Sequence, residues 1–196
     1  MRTITVTNNV TLDGVMQAPM DKQEDTRGGF TRGGWARPFN DEVKMREMGQ
    51  GMAEGGEMLF GRRTYEHMFK AWHGRNDGNP FTPFLDRVQK YVVSNTLKTP
   101  LPWPNSTLLS GDAGDAVAKL KAGAGKGLVM LGSGELIHAL VRRQLIDTFV
   151  LLIHPLVLGS GRRLFADDGT AANFKLVKSV PTPSGLIIAT YENATR

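Results

Sequence analysis

At 196 residues, 40% hydrophobic and 22% charged, the chain has enough apolar material for one globular domain over 1–196 and does not require a second. The absence of cysteine excludes disulfides, thiolate nucleophiles and Cys-bound metals, and makes a reducing cytoplasm the expected setting. A net charge of +5 and a pI near 9.6 point to an anionic partner. The cations are dispersed, however, with pairs at Arg62-Arg63, Arg142-Arg143 and Arg162-Arg163, which suit small phosphorylated ligands at least as well as a nucleic acid.

The first residues alternate, with Ile4, Val6, Val10 and Leu12 on one side, which predicts a strand buried on one face rather than a signal peptide. Asp13-Gly14 ends it as a turn. From Met16 to Asn40 runs a Gly-rich polar stretch carrying Phe30, Trp35 and Phe39. A loop of that length with aromatics is expected to be a lid or binding loop, the alternative being a disordered excursion. Asn40 is placed to cap a helix with Asp41 and Glu42 in its first turn and Met45, Met48 and Met52 as its buried stripe. A short strand at 57–60 and a helix at 61–72 follow. In that helix Tyr65, Met68, Phe69 and Trp72 share one face and are expected in the core.

A loop is predicted over 74–83, strands at 90–94 and 107–110, a helix at 115–122, and a strand at 127–131 followed by a helix with Leu136, Ile137, Leu140 and Val141 inward. Strands at 146–153, 174–180 and 185–191 close the chain. The longest apolar stretch, 149–158, is interrupted by His154 and Pro155 and falls short of the roughly 20 residues that span a bilayer. Helices alternating with strands, then strands alone, predict a mixed sheet flanked by helices.

Two strand-to-helix junctions carry possible chemistry. In Leu59-Phe60-Gly61-Arg62-Arg63-Thr64, glycine lets the backbone approach a ligand, the helix start offers free N–H groups, and either arginine can clamp a phosphate. An Arg pair on a solvated helix face has the same appearance. In Met130-Leu131-Gly132-Ser133-Gly134-Glu135 the glycines would let a pyrophosphate lie on backbone amides, although neither a Walker loop nor a full G-x-G-x-x-G is present and Glu135 opposes an anion unless it points away. Two such junctions weigh more than one, because a dinucleotide needs two anchoring points. Ser94 and Asn95 end a strand with groups suited to a ribose phosphate, or simply form a turn.

Taken in order, Thr11-Leu12-Asp13-Gly14, Leu59-Phe60-Gly61-Arg62-Arg63-Thr64-Tyr65-Glu66, Val92-Val93-Ser94, Gly132-Ser133-Gly134-Glu135-Leu136-Ile137 and Pro155-Leu156-Val157-Leu158-Gly159-Ser160-Gly161-Arg162-Arg163-Leu164-Phe165 resemble the bacterial riboflavin-biosynthesis reductase C-terminal domain. Gly28-Gly29-Phe30 with Gly33-Gly34-Trp35-Ala36 is similar to its stand-alone branch. The resemblance implies an α/β, dihydrofolate reductase-like fold: a central, mostly parallel mixed sheet with antiparallel C-terminal strands and flanking helices. It implies NADPH as cofactor, with Arg62, Arg63 and Thr64 at the adenosine-end phosphates, Ser94 and Asn95 near the 2′-phosphate ribose, and Gly132, Ser133 and Gly134 at the pyrophosphate. A pterin-like or pyrimidine-like small molecule would be the substrate and a homodimer the assembly, with no membrane or nucleic-acid partner. A non-catalytic nucleotide- or nucleic-acid-binding protein of the same fold is the alternative.

Hydride transfer needs little acid–base machinery. Asp13, Asp41 and Glu42 are the candidate proton-assisting carboxylates, each also explained as a turn former or a helix-dipole charge. Trp35, Arg162 and Arg163 are candidates for substrate contact. The four histidines lack metal-ligand spacing, so no metal is expected.

Overall fold

The computed structural model describes residues 1–195. Among them, eight strands form one sheet in the order β4-β3-β2-β5-β1-β6-β8-β7. The strands are β1 Ile4–Thr11, β2 Glu57–Gly61, β3 Lys90–Val93, β4 Ser106–Leu109, β5 Leu128–Leu131, β6 Thr148–His154, β7 Phe174–Pro181 and β8 Ile187–Asn193. Neighbours from β4 to β6 run parallel, and β8 and β7 add antiparallel at the end. This is the mixed sheet expected from the order of elements.

One face is covered by α4 Ala113–Ala122 and α5 Gly134–Arg142. Ile4, Val6 and Val10 of β1 meet Leu136, Ile137 and Leu140 of α5 there in the largest core cluster, so the period-2 and period-3.6 patterns close on each other. β1 stops at Thr11, one residue before the alternation in the sequence does. Leu12 is exposed because Thr11 Oγ1 already accepts the Val15 N–H at 3.0 Å and turns the chain.

The opposite face carries α1 Glu42–Ala53, α2 Arg62–Trp72 and α3 Phe81–Arg87. Tyr65, Met68, Phe69 and Trp72 of α2 pack with Phe60, Leu85 and Trp103 as predicted, and the Tyr65 hydroxyl accepts the Trp103 N–H at 2.9 Å. Helix α3 lies partly in the stretch read as loop. Pro80 is its N-cap and Pro83 sits in the first turn, where a missing N–H costs nothing.

Helix α1 differs from expectation twice. Its N-cap is Asp41, not Asn40: the Asp41 carboxylate accepts the Lys44 N–H at 2.8 Å and also the Ser184 N–H at 3.2 Å. Its methionine stripe is not core, since Met45 is 63% exposed and only Met48 joins a cluster, with Leu152, Val180 and Ile188. The helix touches the sheet along one edge, tied to the β7–β8 hairpin by Asp41–Ser184 and by Lys178 Nζ on Glu47 at 2.6 Å. Its other flank is left open.

The segment after β1 is folded on itself. Val15, Ala18, Phe30, Trp35 and Ala36 form a cluster with Leu156 and Leu158, and the Gln17 side chain donates to Asp25 O and Arg27 O while accepting the Arg162 N–H at 2.9 Å. Phe30 and Trp35 are therefore buried against Leu156 and Leu158, and the half-buried Phe39 packs edge-on to His154.

Candidate functional site

Parallel pairing sets the site. Met58 of β2 lies opposite Val129 of β5, and extending that register by three residues places Gly61 opposite Gly132. The two junctions meet: the Ser133 hydroxyl accepts the Gly61 N–H at 2.9 Å, and a Cβ built on Gly132 would lie 3.8 Å from Thr64 Cγ2. Gly132 has φ +78 and Ser133 φ +72, two successive left-handed residues that turn β5 sharply into α5. The first-turn amides of α2 (Arg62, Arg63, Thr64) and of α5 (Gly134, Glu135, Leu136) thus open toward one place, where the two helix dipoles add. Ser133→Ala would leave the part-buried Gly61 N–H without its acceptor. We expect it to lower unfolding free energy by about 1–2 kcal/mol in urea titrations, whereas an unchanged midpoint would mean that the contact does not hold the junctions together.

This point is one end of a groove of about 2000 Å³. Its floor is the sheet face opposite α4 and α5: Thr5, Thr7 and Asn9 of β1, Val129 and Leu131 of β5, Thr148 and Val150 of β6, and Thr190 of β8. The walls are α1, through Lys44, Met45, Met48 and Met52, and α2, through His67, Met68 and Trp72. Residues 16–20 and 23–27 border its mouth, with Met16 Sδ 3.1 Å from where a Gly134 Cβ would be. The floor is mixed hydroxyl and aliphatic, suited to a flat ring with polar edges.

The cofactor residues expected at the two junctions lie together. Gly61, Arg62, Arg63, Thr64, Gly132, Ser133 and Gly134 all line the groove, as do Arg162 and Arg163. Glu135 does not oppose an anion there as feared, because its carboxylate is ion-paired with Arg162. Arg62 pairs with Glu66 at 3.1 Å across one helical turn, a half-exposed contact of less than about 1 kcal/mol that a phosphate can displace. Arg63 is exposed.

Other expected residues sit elsewhere. Ser94 and Asn95 follow Val93, which pairs with Gly61, but their polar atoms are occupied: Ser94 Oγ accepts from Thr96 N and Leu97 N at 3.1 Å, and the Asn95 side chain bonds Gly111 in both directions. Trp35 is 8% exposed, donates Nε1–H to Gln17 O at 2.8 Å, and stands edge-on to His154, so it supports the wall from behind and does not line the groove. Asp13 accepts from Thr11, Gly159 and Leu158, bonds that hold its carboxyl below the usual range and fix the 156–161 segment. Asp41 is likewise pulled down, chiefly by the Lys44 amide, and Glu42 is exposed in the first turn of α1. None of the three carboxylates lines the groove. Asp13 and Asp41 are engaged in fixing a turn and capping a helix.

Two groove residues, Asn9 and Lys44, had no place in the sequence reading, and Asn40 was read there only as a helix cap. Lys44 offered a signal, since a cation in a helix's first turn opposes the dipole. No group of three or more His, Asp or Glu among the described residues is arranged to hold a metal, and none of the described helices is long and apolar enough to cross a membrane.

The family model for the RibD C-terminal domain matches residues 2–188. The chain belongs to the RibD C-terminal domain family. Among its relatives is the Bacillus subtilis (strain 168) protein YyaP, 34% identical over 142 residues, covering 68% of this chain and 72% of the relative. Solved structures of the same fold include a putative riboflavin biosynthesis protein from Shewanella sp. PV-4, with TM-score 0.70 and 20% identity over 97% of this chain and 98% of the other. Dihydrofolate reductase from Enterococcus faecalis, complexed with NADP(H), superposes with TM-score 0.58 at 12% identity, covering 98% and 96% of the two chains. The RibD-type chain therefore has a dihydrofolate reductase-like fold, as the motif order implied.

Proposed function

We propose that this RibD-type chain acts as one unit that binds NADPH across the Gly61 and Gly132 junctions and reduces a small heterocycle held on the groove floor. The observation that carries this reading is the contact between the junctions: the Gly61 N–H on Ser133 Oγ gives two helix starts and an arginine pair a common focus. The residues fit such a group. Six first-turn amides supply donors for the pyrophosphate, Arg62 and Arg63 supply those for the 2′-phosphate that only NADPH carries, and the glycines leave room for the backbone to approach. When bound, the cofactor supplies the hydride. The chain's part is to hold a ring flat on Thr7, Val129 and Val150 between α1 and α2, with residues 16–20 and 23–27 limiting water at the mouth. Membership of the RibD C-terminal domain family and the fold shared with an NADP(H)-bound dihydrofolate reductase support the assignment. We further propose a cytoplasmic homodimer joined through the C-terminal strands, where the edge strand β7 exposes Leu176 and Val177.

Trp72 lines the groove, whereas Trp35 and Trp103 are buried, so tryptophan fluorescence reports on occupancy. NADPH should quench it with preference over NADH. Arg62→Ala with Arg63→Ala should weaken NADPH by about 1.5–3 kcal/mol, roughly ten- to a hundredfold, with little change for NADH. Equal loss for both cofactors would reject the arginines as the 2′-phosphate clamp. A steep salt dependence of nucleic-acid binding without cofactor preference would favour a non-catalytic role.

A further inference from the structure

Helix α1 places a cation in the groove wall with few partners. The Lys44 residue is 6% exposed, and among the described residues its ammonium has one acceptor, Asn40 Oδ1 at 2.8 Å. An ammonium carries three donors, so two lack a protein acceptor at a wall that Lys44 and Asn40 both line. Nearby carboxylates are committed elsewhere. The oxygens of Asp41 take the Lys44 and Ser184 amides, and Glu47 takes Lys178. On the floor, Asn9 gives its amide oxygen at 2.9 Å to Nε2 of His154, the ring on which the Lys44 charge acts, and its NH₂ has no partner among the described residues. Burial holds the Lys44 pKa below its ordinary value, with Asp41 opposing the shift, which is the behaviour of a cation short of counter-charge. Burying such a group is costly until an anion meets it.

We propose that the Lys44 ammonium anchors a negatively charged oxygen of the substrate, a carboxylate or an ionised ring oxygen, so that the groove selects acidic ring compounds over cationic amino-substituted ones. This rests on reading the groove as the ring-binding site and names the charge of what it takes. The Asn9 NH₂ supplies a neutral donor, and the Thr7 hydroxyl adds a further polar contact on the floor.

The test is calorimetric binding of orotate, barbiturate, uracil and 2,4-diaminopyrimidine to the full chain and to Lys44→Met, with NADPH titrated separately into both. At least one of the two anions should bind about tenfold or more tighter than uracil and 2,4-diaminopyrimidine. Lys44→Met should erase that margin and Lys44→Arg should keep part of it. If Lys44→Met melts early, Lys44→Gln, neutral but polar, takes its place. The anion that gains distinguishes a carboxylate from a ring oxygen. Equal binding of uracil, preference for the diaminopyrimidine, no binding of either anion, or a margin that survives loss of the charge would each overturn the proposal. Failure of NADPH to bind while a Lys44-dependent margin persists would remove the cofactor reading and leave the anion anchor standing.

Discussion

Gly161→Ala is expected to destabilise the chain by about 2–5 kcal/mol, read as a lowered urea midpoint. Two costs combine. At φ +116 the position lies where side chains are strained, and a Cβ there would sit 2.8 Å from Val15 Cγ1 and 2.9 Å from Phe30 Cε2. Neither neighbour can yield easily, because Val15 is fully buried and Phe30 is 6% exposed inside the cluster that fixes residues 15–36. Gly159→Ala, two residues earlier, is the control. It has φ +74 with nothing within 4 Å of the added carbon, so only backbone strain of about 1–2 kcal/mol applies. Similar losses at the two positions would show that packing against Val15 and Phe30 does not set the cost. Because the same cluster carries residues 16–27 to the groove mouth, Gly161→Ala should also loosen ligand binding in the fraction that stays folded.

Acid should expose a second vulnerability, at His154. Its ring is fully buried, Nε2 donates to Asn9 Oδ1, Nδ1 has no partner, and the edges of Trp35 and Phe39 close around it at 5.0 and 5.1 Å. Burial, with the Lys44 charge adding to it, pushes its pKa down from 6.5 to about 4. The unfolded chain therefore binds the proton first as pH falls. The stabilisation is complete above about pH 6.5 and is lost progressively toward pH 4, by up to about 3 kcal/mol. Carboxylates titrate in the same range, so the measurement is a difference. His154→Gln keeps a neutral donor for Asn9, and its stability should fall less than the parent's by about that amount between pH 6.5 and 4. Parallel curves would mean that His154 does not remain neutral in the folded chain.

The parts of this molecule that were legible in the sequence are those in which one residue type has one physical use. Gly61 and Gly132 each end an apolar strand and open a helix, a pattern with few structural solutions, and parallel pairing brought them together. The inward stripe of α5 and the buried face of α2 followed from spacing alone. Other features depended on neighbours that spacing does not name. Met45, Met48 and Met52 have the period of a core stripe, but α1 touches the sheet along one edge and leaves Met45 and Met52 to the groove. Trp35 had the composition of a ligand contact and became scaffold once the Gln17 carbonyl satisfied its N–H. Asp13 and Asp41 carried suitable chemistry, yet backbone amides claimed both carboxylates. Lys44 was not legible because a single lysine is ordinarily solvated, and its burial on the inner side of α1 shows only in the structure.

The tether between α1 and the C-terminal hairpin has a mechanical consequence. One jaw of the cleft, α2, is bedded on the parallel body of the sheet, while the other is lashed to two antiparallel strands at its far edge through Asp41–Ser184 and Glu47–Lys178. The span between the jaws is therefore set by where that hairpin holds α1, at a distance from the Gly61–Ser133 contact that fixes the other end.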